Sequence, residues 1–440
     1  MRILILGASG LIGSNLGSAL RLHGHQVLSL SRHADIHDVH ARQGDFAQMT
    51  TPPAWLPLLA GVDVVVNAVG IFAETATQSF QTLHVSAPLA LLAACEQAGV
   101  SRLIHISALG AQPDAATAYW RSKGEADAAL LASTLNWTIL RPSLIYAPNG
   151  TSSRVFCSIA SLPLLPDLQG VNDVQPVHIN DVIALLLNVI RNGTASRQIV
   201  DVVGNTALPL SSWWQKLRQA MAISPAKTIK VYGWMQDIGC AVSRYLPSKL
   251  FSRDSLIMLR AGNTADVAPL TALLGRAPLA ALPCPAERQT LRQAAMLTWL
   301  LPLLRLSLAL VWLLTALVSW LWPRFESYAL LGATGIPASL QPLLFYGSVL
   351  MDAALGVACL FNTAWRWQLL LVLFYSVLIA IQIPEFLWHP FGPLLKNLPI
   401  LALLFTFDRL KNQKHIIHEK HERHESSNLI QEAHQSTPAS

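Results

Sequence analysis

A chain of 440 residues is long for one domain, and a composition of 52% hydrophobic against 13% charged residues excludes an ordinary soluble enzyme over the whole length. The formal charge of +6 comes from scattered basic residues, which excludes a nucleic-acid surface. Five cysteines (Cys95, Cys157, Cys240, Cys284 and Cys359) stand at unrelated spacings, so they are expected to be buried, reduced thiols, with no metal site and no disulfide framework.

The first apolar run, Met1 plus Ile3 to Leu6, is too short for a signal peptide, and the amino-terminal part is expected in the cytoplasm. Short apolar runs then alternate with longer helical patterns: RILIL, HQVLSL, VDVVVNAVG, SRLIHISALG and WTILRPSLIY, with Ala- and Leu-rich segments between them. That alternation predicts an α/β domain over 1–205, a doubly wound parallel sheet with helices on both faces. Its first helix is expected from Leu11 to His23 and another from Ala87 to Ala98. From about Asn205 the pattern changes to mixed helices and Pro-rich turns, with amphipathic stretches at SSWWQKLRQAMA and SRDSLIMLRAG, and predicts a small substrate or cap lobe and linker over 206–295.

The composition shifts sharply after that. Leu306–Trp322 has no charge in 17 residues, Leu343–Phe361 has one in 19, and Leu369–Ile383 has none in 15. With a fourth segment from about Phe386 to Phe407, these predict an all-α domain of four transmembrane helices over 296–410, in the lipid bilayer of the cell (inner) membrane. Trp312, Trp320, Trp322, Trp365, Trp367 and Trp388 lie near the ends of the runs, as an interfacial belt would. Asp352 falls near the middle of the second run, and Glu385, His389 and Lys396 could complete a polar path with it. Four spans return the chain to its starting side, which places the polar tail 411–440 in the cytoplasm. The tail's His415, His418, His421 and His424 read as a solvated segment rather than a metal site.

Gly7, Gly10 and Gly13 in GASGLIG sit between the first strand and the first helix. A dinucleotide fold needs a tight turn there, so that backbone amides and a helix amino terminus reach a pyrophosphate. The spacing is GxxGxxG, with a second strand following, and it resembles the extended and atypical short-chain dehydrogenase/reductase family, whose sheet is Rossmann-like. The resemblance covers roughly residues 1–290. It makes Gly7, Ser9, Gly10, Leu11, Ile12 and Gly13 the phosphate turn, and NAVG (Asn67, Ala68, Val69, Gly70) the turn after the fourth strand, beside the cofactor. Ser107 in HISALG matches the family's catalytic serine, and YWRSK supplies Tyr119 and Lys123 as its YxxxK pair. In the family's chemistry the lysine lowers the phenol's pKa and holds the nicotinamide ribose, the tyrosine passes a proton to or from the substrate oxygen, and the serine orients that oxygen. Arg141 and Pro142 in LRPSLIYAP, and His178 and Asp181 in PVHINDV, look like further family landmarks.

After the second strand, LSLSRH offers Ser31, Arg32 and His33 where NAD binders usually carry an acidic residue, which favours NADP; Asp35 keeps NAD as the alternative. Asp45 in QGDF resembles the family's aspartate at the adenine rim. The membrane half, from RLSLALVWLLTALVSWLW through HPFGPLLKNLPILALL, resembles the DoxX-like family of four-helix membrane domains. Together the resemblances imply a membrane-anchored NAD(P)H-dependent oxidoreductase acting on a carbonyl-like or quinone substrate. The alternative is a non-catalytic NADPH-binding module of a membrane redox complex, since the sequence is also similar to the accessory NADPH-binding subunit of respiratory complex I. A nucleotide-regulated transporter is the poorest reading, because no inverted repeat is visible.

Overall fold

The computed structural model describes residues 1–32, 40–243, 252–333, 335–382, 384–388 and 394–411. His33, Asp35, His389 and the four tail histidines of the sequence reading lie outside the described residues. The chain divides into two compact units, Met1–Leu297 and Thr298–Ser440.

The first unit is built on a seven-stranded, all-parallel sheet. Its strands are β1 (Arg2–Leu6), β2 (Gln26–Ser31), β3 (Ala41–Gln43), β4 (Val64–Asn67), β5 (Arg102–Ile106), β6 (Trp137–Pro142) and, after three strands outside this sheet, β10 (Gln198–Val202). Their order across the sheet is β3-β2-β1-β4-β5-β6-β10. This is the doubly wound arrangement, with the order reversing between β1 and β4. Alternation within RILIL explains why the strand reads as continuously apolar. Ile3 and Ile5 pack on one face with Leu16, Leu20 and Ile183, while Leu4 and Leu6 pack on the other with Trp55, Leu59 and Leu91. The covering helices are α1 (Leu11–Leu22) and α6 (Ile179–Asn192) on the first face, and α2 (Pro52–Leu59) and α3 (Ala87–Ala98) on the second. The fourth helix, α4 (Ala118–Ala132), joins β5 to β6.

A second core gathers Tyr146, Cys157, Leu165, Val174, Trp213, Trp214 and Leu291. Further elements of the unit are β7 (Ile145–Tyr146), α5 (Thr151–Ala160), β8 (Leu164–Leu168), β9 (Val177–His178), α7 (Leu210–Ala220), β11 (Lys227–Val231), α8 (Gly233–Ser243), α9 (Arg253–Ala261) and α10 (Ala268–Leu274), of which β9, through Val177, and α10, through Leu270, join the core on the first face of the sheet. The lobe thus draws on residues well before 206, because β8 pairs in parallel with the distant β11, and β7 with β9. Such long-range pairings leave no local signal. The expectation of five buried thiols is corrected: Cys95, Cys157 and Cys359 are buried, whereas Cys240 is half-buried and Cys284 exposed.

The second unit is helical, with the part of α11 (Arg288–Leu321) from Thr298 onward, α12 (Arg324–Ala333), α13 (Gln341–Leu360), α14 (Trp365–Gln382) and the short α15 (Glu385–Trp388); residues 397–411 are also helical. Among the described residues, α11, α13 and α14 are long and apolar enough to cross a membrane. The expected fourth span includes 389–393, which lie outside the described residues. The tryptophan belt is corrected in part. Trp320, Trp322 and Trp367 are exposed, but Trp365 is buried and stacks on Phe407, and the Trp312 indole donates to Gln368 Oε1 at 2.9 Å.

Candidate nucleotide and redox site

Parallel pairing aligns Leu6 with Asn67, so the turns after β1 and β4 lie side by side at the carboxyl ends of their strands. Gly7 takes φ +73°, a left-handed conformation that a side chain resists, and a Cβ there would stand 3.0 Å from the Ala68 carbonyl oxygen. The Gly10 amide donates to the Gly7 carbonyl at 2.9 Å and closes the turn. A Cβ on Gly13 would stand 2.3 Å from that same carbonyl oxygen, so only glycine lets α1 approach the turn this closely. Gly10 is the extended N-cap of α1, and no side chain caps the helix. The N–H groups of Leu11, Ile12 and Gly13 therefore stand at an uncapped positive helix end, next to the exposed Ser9. A cradle that any Cβ would fill, facing uncapped amides, fits a pyrophosphate.

The β4 turn is held by its own side chains. Buried Asn67 accepts from the Val69 amide at 3.1 Å and contacts His105 Nδ1 at 3.2 Å. Lys123, on α4, donates to Val69 O at 3.3 Å and to Ile106 O at 2.9 Å, so the turn and the end of β5 are tied to one ammonium. Two of its three N–H groups are so used. A Cβ on Gly70 would lie 3.3 Å from the Lys123 nitrogen, which explains the small residue there.

Tyr119 lies one turn before Lys123 on α4, as the YxxxK spacing requires. Its ring is packed among Phe72, Phe80 and His84, with centroids 5.3, 5.9 and 5.7 Å away. Burial pushes its phenol up to about 12 and pulls the Lys123 ammonium down to about 8, the latter opposed by Asp127. The expected lowering of the phenol by Lys123 is therefore not the balance in this structure: desolvation is the larger effect, and it keeps Tyr119 protonated. Ser107, at the end of β5, donates its hydroxyl proton to Asp127 Oδ2 at 2.9 Å. Arg141, on β6, grips the same carboxylate at 2.9 and 3.0 Å.

Two side chains that contact these residues or their turns escaped the sequence reading. Asp127 stands four residues beyond Lys123, on the same helix face, and that spacing could have revealed it. It is buried, and burial raises its carboxyl against the opposing pull of Arg141, Ser107 and Lys123. His84 sits in a π-helical turn, Gln81–Ser86, that no sequence pattern marked. The Ile71 amide donates to its Nε2 at 3.1 Å, so Nδ1 carries the proton and faces Ser122 Oγ at 3.0 Å. Burial, with Lys123 and His105 adding repulsion, lowers its pKa to about 2 and keeps it neutral.

The other predicted residues have mixed fates. Arg32 is exposed just beyond β2. The Asp45 carboxylate caps a single 3-10 turn, accepting from Ala47 N at 3.1 Å and Gln48 Nε2 at 3.3 Å. Pro142 ends β6, and its carbonyl accepts from the Leu109 amide at 3.0 Å. His178 caps α6, and buried Asp181 holds Arg276 at 2.6 Å and the Leu279 amide at 2.7 Å, which makes both structural. In the helical unit Asp352 is half-buried in α13, while Glu385 and Lys396 are exposed. Among the described residues no group of side chains could hold a metal ion.

The fold and its glycine cradle define an NAD(P)-binding Rossmann-like domain, and comparison with known proteins agrees. The NAD(P)H-binding family model matches residues 7–158, and the DoxX-like family model matches residues 309–405. The chain thus joins an NAD(P)-binding domain to a DoxX-like domain. Over 192 residues it is 29% identical to ceramide reductase of Caulobacter vibrioides, covering 42% of this chain and 59% of the relative. Over 210 residues it is 30% identical to the Arabidopsis thaliana mitochondrial NADH dehydrogenase (ubiquinone) 1 alpha subcomplex subunit 9, covering 44% and 50%. The chain therefore spans little more than half the length of these relatives. A nucleoside-diphosphate-sugar epimerase from Staphylococcus aureus has the same fold, with TM-score 0.52 at 16% identity over 66% of this chain and all of that one.

Proposed function

We propose that this chain is a membrane-anchored NAD(P)H-dependent oxidoreductase of the short-chain dehydrogenase/reductase type, with NADP preferred to NAD and a carbonyl-like or quinone substrate. The observation that carries the reading is the convergence of Tyr119, Lys123 and Ser107 on the carboxyl ends of β4 and β5, beside the glycine cradle. The amides of Leu11, Ile12 and Gly13 would hold the pyrophosphate, the remaining Lys123 N–H would take the ribose, and Arg32 would pair with a 2′-phosphate. When bound, the nicotinamide supplies the hydride. Tyr119 holds a proton at its hydroxyl across the neutral range and can deliver it to a carbonyl or quinone oxygen. Phe72 and Phe80 pack against that ring and fix its position. Asp127 fixes the Ser107 rotamer, and the serine lone pairs stay available to a polar substrate group. The likeness to ceramide reductase supports a reductive direction.

The second reading, a nucleotide-binding module of a membrane complex, is favoured by the likeness to the complex I subunit and by the Ser107 proton being committed to Asp127. In either case the amino-terminal unit and the tail are proposed to face the cytoplasm. The deciding experiment measures NADPH oxidation by the full chain in proteoliposomes, scanned against quinones and small carbonyls, together with nucleotide affinity. Tyr119→Phe is expected to lower oxidation by roughly 10² to 10⁴ with unchanged NADPH affinity. Unchanged oxidation would sink the enzyme in favour of the module.

A further inference from the structure

Five exposed large hydrophobic side chains of the first unit fall within ten residues, 229–238; the unit's other exposed large hydrophobics are scattered along the chain. Four of the five, Tyr232, Trp234, Met235 and Ile238, lie on or beside α8. A polar side chain ties the helix to the rest of the unit. Buried Gln236 donates to Gln169 O at 2.9 Å and Val231 O at 2.8 Å, and accepts from Arg260 at 3.0 Å. Trp234 and Ile238, spaced i to i+4, occupy the side turned away from Gln236, and they are 63% and 56% exposed. Ile229, on the adjoining β11, is exposed between the exposed Lys227 and Lys230. A cluster of this kind on a folded unit marks a contact surface.

We infer that the outward face of α8, with β11 beside it, rests on the surface of an anionic lipid bilayer. Three observations select lipid over a protein partner. The same chain carries three helices apolar enough to cross a membrane, so a bilayer is always at hand. Among the described residues of the segment 227–260, four Lys and Arg stand against two Asp, a balance that complements anionic headgroups. Its apolar residues include Trp and Tyr, whose rings favour the headgroup boundary. With exposed Trp234 and Ile238 on one side and buried Gln236 tied to the unit on the other, α8 lies in the plane of the interface, as amphipathic surface helices do. This contact is independent of whether the site turns over.

The test uses the full chain in vesicles of phosphatidylcholine and phosphatidylglycerol, with photoreactive p-benzoylphenylalanine placed at Trp234, at Ile238 or, as a control, at Leu22, which is 87% exposed on α1. Retained NADPH binding checks that each variant folds. Illumination is expected to add the mass of one phospholipid at positions 234 and 238 and none at 22, with a several-fold lower yield in phosphatidylcholine alone. Crosslinking to a second copy of the chain, no adduct at 234 and 238, equal labelling at 22, or an equal yield in neutral vesicles would each overturn the inference.

Discussion

The two units use similar apolar residues in opposite senses. In the sheet of the first unit Ile3, Leu4, Ile5, Leu6 and Val66 are fully buried, and buried polar side chains such as Thr138 and His105 are hydrogen-bonded. In the second, 17% of the most apolar window of each long helix is buried, and Leu343, Leu350, Phe361, Trp367 and Ile381 face outward. Its interior holds Leu308, Trp365, Leu404 and Phe407 beside the small Ala309 and Cys359 and the fully buried Gln368, which accepts from Trp312 and from the Cys359 thiol. The difference follows from the solvent. Water drives large side chains inward, whereas lipid leaves them indifferent, so close contact and a few hydrogen bonds hold the helices together.

That contrast can be broken from either side. The largest effect is expected at the buried carboxylate: Asp127→Leu strands Arg141 and frees Ser107, and should cost about 3 kcal/mol, read as lost amide-exchange protection along α4 in the full chain. A cost near zero would mean that the site is not organised by this charge. Gly13→Val comes next. Its side chain meets the Gly7 carbonyl, and NADPH affinity should fall roughly 100-fold by titration, about the 1–3 kcal/mol of an overpacked contact. An unchanged affinity would show that the cradle does not bind the nucleotide.

A smaller effect is expected from pH. Lys123 titrates near 8 in the fold against 10.5 as its ordinary value, so between those pH values the unfolded chain binds more protons. This group therefore makes the fold more stable as pH rises through that window, by about 1 kcal/mol per pH unit. Lys123→Met should remove that slope from amide exchange in α4, and an identical slope in both proteins would refute the assignment. The smallest effect belongs to the helical unit. Gln368→Leu deletes the partner of Trp312 and Cys359, and should cost about 1 kcal/mol, or roughly 3 °C in detergent melting. A loss as large as that of Asp127→Leu would mean that the helical interior is organised like the sheet unit, and the contrast between the units would fail.

Most of the Rossmann-like sheet was legible because its signals are local. RILIL and the VVV of VVVN are buried on both faces and so read as unbroken apolar runs, HQVLSL shows its strand through buried Val27, Leu28 and Leu30, and α3 falls on Ala87–Ala98 as its pattern predicts. The short β3 and the exposed-then-buried β10 were not legible, since three residues or mixed burial carry too little periodicity.

By itself, the sequence determined the glycine turn after β1, the placing of Tyr119 and Lys123 one turn apart on a helix and the apolar helices, because glycine spacing, helical spacing and segment length are properties of a few contiguous residues. Only the tertiary structure decided what those residues meet. The commitment of Ser107 to Asp127 and Arg141, the neutral His84 wedged between Ile71 and Ser122, and the phenol held protonated by its burial all depend on side chains that the fold brings together from far along the chain. Desolvation and hydrogen-bond partners are set by that assembly, and no local pattern encodes them.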